Sequence, residues 1–342
     1  KVFQIVQQIN ELAPDKYTAL YDRFKTIQMA INPHVWPKRE PQTGPLVLSM
    51  DRIDASKTDQ VGAKMANIGE MVNRIGLHSP KGFAVTAAGY EAFMVHSDLQ
   101  PEIDRRIQAA DPERLDELYA VSAGIQQMIM NAPIPPELHR QIGEHHRRLA
   151  DFDGEEFSVA MRSSALGEDV AGATFAGQYR SELNVGADFI YDAYRQILAS
   201  KYGVTAISYR FSRGIRDEDV AMCVGCLKMI QAVSGGVAYS RAPVDFRREA
   251  VLVHSAWGLP KSVVDGTCDP DRFALSRDPS PQMLHKEIAE KVQKFVCYAD
   301  EGVCRLDTIE KESRLASLTD EQASALAALA GMILTARLNS AQ

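Results

Sequence analysis

The stretch that most constrains this chain is residues 157–184, FSVAMRSSALGEDVAGATFAGQYRSELN. It begins as a predicted strand, Phe157 to Met161, and Arg162-Ser163-Ser164 follows. After the acidic pair Glu168-Asp169, small residues dominate from Ala171 to Gly177 and cannot build a core. Such a loop suits the close approach of backbone N–H groups to an anion, and an arginine fork matches phosphate oxygens. A solvated hairpin with a glycine turn explains the same local pattern equally well.

Composition places the chain among globular proteins of about two domains. It has 342 residues, of which 45% are hydrophobic, so it can bury a sizeable core. The net charge of −7 gives no reason to expect a general affinity for nucleic acid or for an anionic membrane. The one long apolar run, Val220 to Leu227, is far too short to cross a bilayer.

The chain has five cysteines, and their odd number and wide spacing argue against a disulfide framework. Cys223 and Cys226 form a lone CxxC inside an apolar run that is typical of a buried strand. This setting favours a packing role over a metal-binding or redox role. A cytoplasmic, reduced protein is therefore expected.

The N-terminal part predicts a separate unit. Val2 to Ile31 has a helical apolar pattern, which favours an extra packing layer over an interaction module. Four prolines then lie between Asn32 and Pro45 and disfavour a helix there. We expect a helical extension with a Pro-rich linker at residues 1–45 and the main domain at residues 46–342.

Residues 61–74 predict a helix that ends before Gly76. Gly62 and Lys64 would then lie at the helix N-terminus, where unpaired N–H groups and the helix dipole favour an anion. An exposed helix lysine is the alternative interpretation of Lys64.

The rest of the chain predicts intermixed helices and strands, and hence an α+β fold in which antiparallel sheets clamp a ligand. The expected strands are Val220–Ile230 and Gly236–Ser240, paired across Gly235-Gly236, and then Ala250–Ala256 and Phe273–Ser276. Expected helices are Leu284–Val296 and Thr319–Leu338, the second with a capping box formed by Thr319 and Gln322.

Several motifs, in one order along the chain, resemble the nucleotide-binding domain of the phosphoenolpyruvate synthase and pyruvate phosphate dikinase family. MRSSALGED and ATFAGQY, residues 161–169 and 173–179, resemble the signature VRSSA…ED…SFAGQ. The further matches are Val61–Lys64 to VGGK, Pro80–Phe83 to PxGF, Ile207–Arg210 to ISYR and Pro270–Phe273 to PDxF. The similarity runs from about Val61 to the C-terminus, and it implies an ATP-grasp-like, two-lobed nucleotide-binding domain.

The resemblance also implies an activity. The chain would be the ATP-binding part of a phosphoenolpyruvate synthase-like dikinase, a phosphotransferase that uses Mg²⁺. ATP would give its β-phosphoryl group to a histidine on a swivelling domain, yielding AMP and phosphate. Lys64 and Arg162 would be catalytic. The residues expected to bind the nucleotide are Gly62, Lys64, Arg162, Thr174, Ala176, Gly177, Gln178 and Arg241.

Other family features are absent or altered. The family's GLGExVVxG corresponds to residues 258–266, where Pro260 and Lys261 do not fit, and Leu227 stands where Gln is common. None of the eight histidines has the setting of the family's phosphohistidine, GGxTSHAAI. Metal-binding acids of the family lie in a segment resembling QDIEW, expected just beyond Gln342, so the domain is expected to be truncated there. No residue of this chain is assigned to metal.

The partners implied are a phosphohistidine domain and an acceptor-binding domain, in the same polypeptide or in a separate subunit. Three alternatives remain: a nucleotide-binding subunit of a phenylphosphate synthase-like complex, a degenerate regulatory or scaffolding module, and a soluble α+β domain with no nucleotide site. The phosphate acceptor stays open among pyruvate, pyruvate plus phosphate, phenol, glucan and an antibiotic.

Overall fold

The computed structural model describes residues 2–14, 16–35, 43–111, 114–151, 156–167, 179–241, 250–298 and 302–340. Helices and strands are intermixed along these residues, which confirms the predicted α+β class. The helices are α1 (Val2–Leu12), α2 (Ala19–Val35), α3 (Thr58–Asn73), α4 (Ala87–His96), α5 (Leu99–Ala109), α6 (Leu115–Asn131), α7 (Pro136–Arg147), α8 (Ile190–Ser200), α9 (Val204–Arg213), α10 (Lys261–Val264), α11 (Glu310–Ser313) and α12 (Asp320–Ser340). The strands are β1 (Val47–Ser49), β2 (Gly82–Val85), β3 (Val159–Ala165), β4 (Ser181–Val185), β5 (Met222–Lys228), β6 (Ser234–Tyr239), β7 (Ala250–Trp257), β8 (Asp271–Ser276), β9 (Met283–Glu287), β10 (Gln293–Tyr298) and β11 (Gly302–Asp307).

The first sheet contains five antiparallel strands in the order β1-β2-β5-β3-β4. Residues of α4 and α6 to α9 bury one of its faces, with Phe93 and Tyr194 at the centre of the core. Helix α3 covers the opposite face through Met65. Gly225 of β5 lies directly under Met65, so any side chain there would collide with the methionine sulfur. The missing side chain lets α3 pack close to the sheet.

The second sheet has four antiparallel strands in the order β6-β7-β8-β9. Helix α12 packs against it, and Ala323 and Ala327 meet Val253 and Phe273 in a separate apolar core. Strands β10 and β11 form a hairpin, which joins the sheet where the Leu259 amide donates to the Phe295 carbonyl at 2.8 Å.

A buried ion pair fixes the second sheet to the segments that follow it. Asp271 and Lys291 are both fully buried, and their Oδ1 and Nζ atoms are 2.6 Å apart. The other carboxylate oxygen of Asp271 accepts from the backbone N–H and the hydroxyl of Ser317, each at 2.7 Å. The acid in the PDxF-like motif therefore has a structural role.

The N-terminal residues form two helices instead of one. Helix α1 ends at Leu12 and α2 begins at Ala19, and Pro14 lies in the chain between them. Phe3 of α1 meets Tyr21 and Phe24 of α2, with ring centroids 6.2 and 5.5 Å apart. The division of the chain at residue 45 stays a prediction.

Two other predictions about secondary structure are wrong. Strands β5 and β6 do not pair; they belong to different sheets, and Gly235 and Gly236 lie inside β6. Residues 284–296 form parts of β9 and β10 instead of a helix, since β8 pairs with β9 and Lys291 is drawn into the buried ion pair.

The cysteines behave as expected from their spacing. All five are free, and Cys223 and Cys226 are buried in β5. In the described part of the chain, every helix is too short or too polar to span a membrane.

Candidate functional site

A cleft of about 690 Å³ opens where the first sheet faces the segments around α10. Strand β3 contributes Arg162 and β5 contributes Leu227. The opposite wall carries Leu259, Pro260, Lys261 and Val264, and the connection from β5 to β6 contributes Met229, Ile230 and Ala232. The cleft thus combines an apolar lining with cationic side chains, a combination suited to a ligand with both a ring and anionic groups.

Arg162 is the predicted site residue that most clearly reaches this cleft. It is exposed between buried neighbours in β3, and it forms no ion pair with any described residue. Side chains along a strand alternate between the two faces, so Arg162 shares its face with Ala160 and Ser164. Ala160 also lines the cleft, whereas Ser164 contacts α3.

The contact between Ser164 and α3 brings a second predicted element next to Arg162. Helix α3 is interrupted at Gly62, whose φ of 76° and ψ of 160° are not helical. A side chain at this position would lie 2.5 Å from the Ser164 hydroxyl and closer still to its carbonyl oxygen. The hydroxyl of Ser164 accepts a hydrogen bond of 3.2 Å from the Met65 amide. The helix predicted to begin near Gly62 begins earlier, at Thr58, and restarts after Gly62. The half-buried Lys64 lies in the first turn of the restarted part.

Among the remaining predicted site residues, Arg241 is the one that the structure describes. Thr174, Ala176, Gly177 and Gln178 lie outside the described residues, as do Glu168 and Asp169. Arg241 is exposed and lies two residues beyond the end of β6. Six strand residues span about 20 Å, so Arg241 is roughly that far from the beginning of β6, where the cleft lies.

Arg210, from the ISYR-like motif, belongs to a buried network away from the cleft. One guanidinium nitrogen donates to the Lys201 carbonyl at 2.7 Å, and the other lies 3.4 Å from Asp217. Lys201 and Tyr202 also contact the Asp217 carboxylate, at 3.2 and 2.8 Å. Burial alone would raise the pKa of Asp217, but Lys201 and Arg210 hold it below its ordinary value. This geometry assigns Arg210 a structural role.

Sequence reasoning did not identify Lys228 as part of the cleft lining. Its Nζ atom lies 2.5 Å from the Asp151 carboxylate and 5.4 Å from the centre of the Phe157 ring. Lys81 pairs with the same carboxylate. Hydrogen bonds from Lys228 and Lys81 lower the pKa of Asp151 to about 2. The sequence feature that could have identified Lys228 is its position directly after the apolar run Val220–Leu227.

Carboxylates for a metal ion are not gathered among these residues. No group of three His, Cys, Asp or Glu side chains in the described segments could hold a metal ion. The residues described here therefore do not fit a Mg²⁺ site by themselves.

Comparison with known proteins adds independent information. The model of the family described as pyruvate phosphate dikinase, AMP/ATP-binding domain, matches residues 58–336. A phosphoenolpyruvate synthase from Neisseria meningitidis is 33% identical over 296 residues, which are 82% of this chain and 37% of that protein. The phosphoenolpyruvate synthase from Escherichia coli is 33% identical over 83% of this chain and 38% of its own length.

A third relative shows the same pattern. A probable phosphoenolpyruvate synthase from Staphylothermus marinus is 34% identical over 75% of this chain and 31% of its own length. The chain thus spans less than two-fifths of each of these three relatives. Because the family model matches most of the chain, the chain belongs to the family of the pyruvate phosphate dikinase AMP/ATP-binding domain.

Proposed function

We propose that the cleft between the two sheets binds ATP and that the bound ATP phosphorylates a histidine on another domain. The observation that carries the proposal is the position of Arg162, exposed on β3 within a cleft of about 690 Å³ in a chain of this family. The apolar residues of the cleft would contact the adenine ring, and the cations would contact the phosphates. The two sheets on either side support an ATP-grasp-like, two-lobed arrangement.

The proposed transfer breaks both phosphoanhydride bonds of ATP, the one between the α- and β-phosphates and the one between the β- and γ-phosphates. The histidine ends with the β-phosphoryl group of ATP, and the bond between the α- and β-phosphates breaks to release AMP. One water molecule takes up the γ-phosphoryl group, which leaves as phosphate. Phosphoryl transfer needs cations and backbone donors around the phosphates more than it needs covalent help from the protein. Lys64 and Arg162 would supply the cations, and the N–H groups after Gly62 would supply donors.

The other nucleotide-binding residues of this proposal are Thr174, Ala176, Gly177, Gln178 and Arg241. The reaction is expected to use Mg²⁺, whose charge would offset that of the phosphates. The described residues offer no cluster for this ion, so its carboxylate ligands would come from elsewhere in the protein.

The histidine and the acceptor pocket would lie on further domains, in the same polypeptide or in a partner subunit, within the cytoplasm. The longer relatives support this arrangement, because the chain covers only 31 to 38% of three of them. A subunit of a phenylphosphate synthase-like complex would have the same ATP site and a different acceptor.

The test is calorimetric titration of the chain with ATP, followed by exchange of labelled AMP into ATP in the presence of the histidine-bearing domain. We expect Arg162→Gln to weaken ATP binding about tenfold or more, because it removes a charge-assisted hydrogen bond. Lys64→Gln should slow the exchange. Arg105→Gln is the matched control, since Arg105 pairs with Glu102 on α5, outside the cleft.

A degenerate regulatory module is the second candidate, favoured by the altered residues in the cleft wall. Leu227, Pro260 and Lys261 all line the same cleft as Arg162. This candidate predicts nucleotide binding without exchange, even with the partner domain present. Failure of ATP to bind both the chain and a longer protein that continues past Gln342 would contradict both candidates.

A further inference from the structure

We propose that Lys261 changes partner when a nucleotide binds, from the carboxylate of Asp265 to the nucleotide's phosphates, and so favours triphosphates over monophosphates. The inference rests on the proposed function of the cleft and adds a residue that determines specificity for the charge of the nucleotide. Three features of the structure support this exchange: the contacts that hold the turn before α10, the position of Lys261 on the wall opposite Arg162, and the exposed ion pair between Lys261 and Asp265.

The turn that carries Lys261 is held by segments on both of its sides. The Gly258 amide donates to the Val233 carbonyl at 2.7 Å, and the Leu259 amide donates to the Phe295 carbonyl at 2.8 Å. Pro260 fixes its own φ and packs against Gly235, where a side chain would come within 2.7 Å of the ring. The backbone of Lys261 is therefore fixed at the rim of the cleft, and only its side chain needs to move.

Lys261 and Arg162 approach the cleft from opposite walls. Arg162 belongs to β3 of the first sheet, and Lys261 begins α10 beside the second sheet. A ligand with several negative charges can contact both walls, whereas one with a single phosphate has fewer charges to share between them. A triphosphate carries more negative charge than a monophosphate, so the two cations should increase the affinity for it more. Screening by salt weakens this attraction.

The other charged groups of the lining are already engaged. Lys228 is paired with Asp151, which Lys81 also contacts. Glu182 is paired with Arg180. Asp265 is thus the acid that competes with a nucleotide for Lys261.

The pair of Lys261 and Asp265 is suited to exchange. Their Nζ and Oδ2 atoms are 2.6 Å apart, and the two side chains are 44% and 40% exposed. Ion pairs this exposed to water contribute little to stability, so giving one up costs little. A phosphate group can therefore replace the carboxylate at the lysine.

If Lys261 exchanges partners, substitutions of Lys261 and of Asp265 should change the affinity for ATP in opposite directions. Lys261→Gln removes the cation and should weaken ATP binding about fivefold, with less than about a twofold effect on AMP. Asp265→Asn removes the competing acid and should tighten ATP binding about twofold to fivefold. A purely structural ion pair would instead make both substitutions act in the same direction.

The experiment measures the dissociation constants of ATP and AMP for the two variants and the parent chain, at low and at high salt. Lys286→Gln is the matched control, because Lys286 pairs with Asp320 at the same distance of 2.6 Å and does not line the cleft. Circular dichroism and thermal unfolding would verify that each variant is folded. The opposite effects should shrink at high salt.

The outcomes separate this inference from the function on which it rests. Weaker ATP binding for Lys261→Gln together with tighter binding for Asp265→Asn supports the exchange. If both variants bind ATP like the parent while Arg162→Gln binds it weakly, the exchange is wrong and the ATP site stands. If the parent binds no nucleotide in any extended form, both proposals are wrong.

Discussion

The backbone N–H of Met65 donates a hydrogen bond of 3.2 Å to the hydroxyl of Ser164, although 99 residues separate the two positions. The donor is one of the N–H groups that a helix leaves unpaired in its first turn, so Ser164 caps the part of α3 that follows Gly62. Because Ser164 and Arg162 lie on one face of β3, this contact sets where Lys64 stands relative to Arg162.

We expect Gly62→Ala to lower the free energy of unfolding by about 3 kcal/mol. The backbone at this position has φ of 76° and ψ of 160°, a region almost restricted to glycine. The new methyl group would also collide with Ser164. Denaturation with urea measures the loss.

Gly76→Ala is the matched control, because Gly76 also has a positive φ, of 77°, but no atom lies within 4 Å of the added methyl group. It should cost only about 1 kcal/mol. Equal losses for the two glycines would mean that the contact with Ser164 is unimportant.

Asp271→Asn should destabilise the second sheet strongly. The change leaves the fully buried ammonium group of Lys291 without its counter-charge. Removing one partner of a buried ion pair typically costs about 3 to 5 kcal/mol. Thermal unfolding and hydrogen exchange of β8 would measure the effect.

The control for this prediction is Glu287→Gln, which breaks the exposed pair between Glu287 of β9 and Arg272 of β8. That change should cost less than about 1 kcal/mol. If Asp271→Asn lowers the free energy of unfolding as little as Glu287→Gln does, Asp271 does not have the structural role assigned to it.

Stability should depend on pH through His146. This side chain is buried and stacked on Phe157 at 4.8 Å, and burial lowers its pKa below the ordinary value of 6.5. The unfolded chain therefore takes up the proton more readily than the folded one. The stabilising effect is complete above about pH 6.5 and is lost as the pH falls through the lowered pKa.

His146→Gln should flatten this dependence, as measured by urea denaturation between neutral and mildly acidic pH. His285→Gln is the control, because His285 is exposed in β9. An unchanged pH dependence in the His146 variant would assign the effect to other groups, such as His254, whose pKa burial also lowers.

Thr319→Ala should destabilise α12 by about 1 kcal/mol. The Thr319 hydroxyl accepts from the Gln322 amide at 3.2 Å, and the Gln322 side chain accepts from the Thr319 amide at 2.9 Å. In the middle of the same helix, Thr335 bonds only to the carbonyl four residues earlier. Thr335→Ala should therefore change the free energy of unfolding by less than about 0.5 kcal/mol. Thermal unfolding compares the two, and similar losses would argue against the capping box.

The sequence predicted most reliably the features that are determined by residues close together in the chain, such as helix caps. The cap at Thr319 and Gln322 is confirmed, since caps act within a few positions. The helix predicted to begin near Gly62 begins at Thr58 and only restarts after Gly62. Residues 284–296 show the opposite case. Leu284, Ile288 and Val292 have helical spacing, but pairing with β8 and the burial of Lys291 override it.

The candidate site was predictable in part. The motif around Arg162 identifies the arginine, but only the register of β3 reveals that it shares a face with Ser164 and Ala160. Nothing local in the sequence places Lys261 opposite Arg162, because the two residues come from different sheets. Arg210 fits the family motif equally well, yet its contacts with Lys201 and Asp217 hold it inside the core.

The carboxylate of Asp271 has a consequence for synthesis on the ribosome. Its hydrogen-bond donors lie 18, 20 and 46 residues downstream, at Ala289, Lys291 and Ser317. At roughly 5–20 residues per second, translation of the longest of these intervals takes about 2 to 9 seconds. Strand β8 therefore emerges with the carboxylate of its first residue still hydrated, and the hydrogen bonds of Asp271 can be completed only after the ribosome has released Ser317.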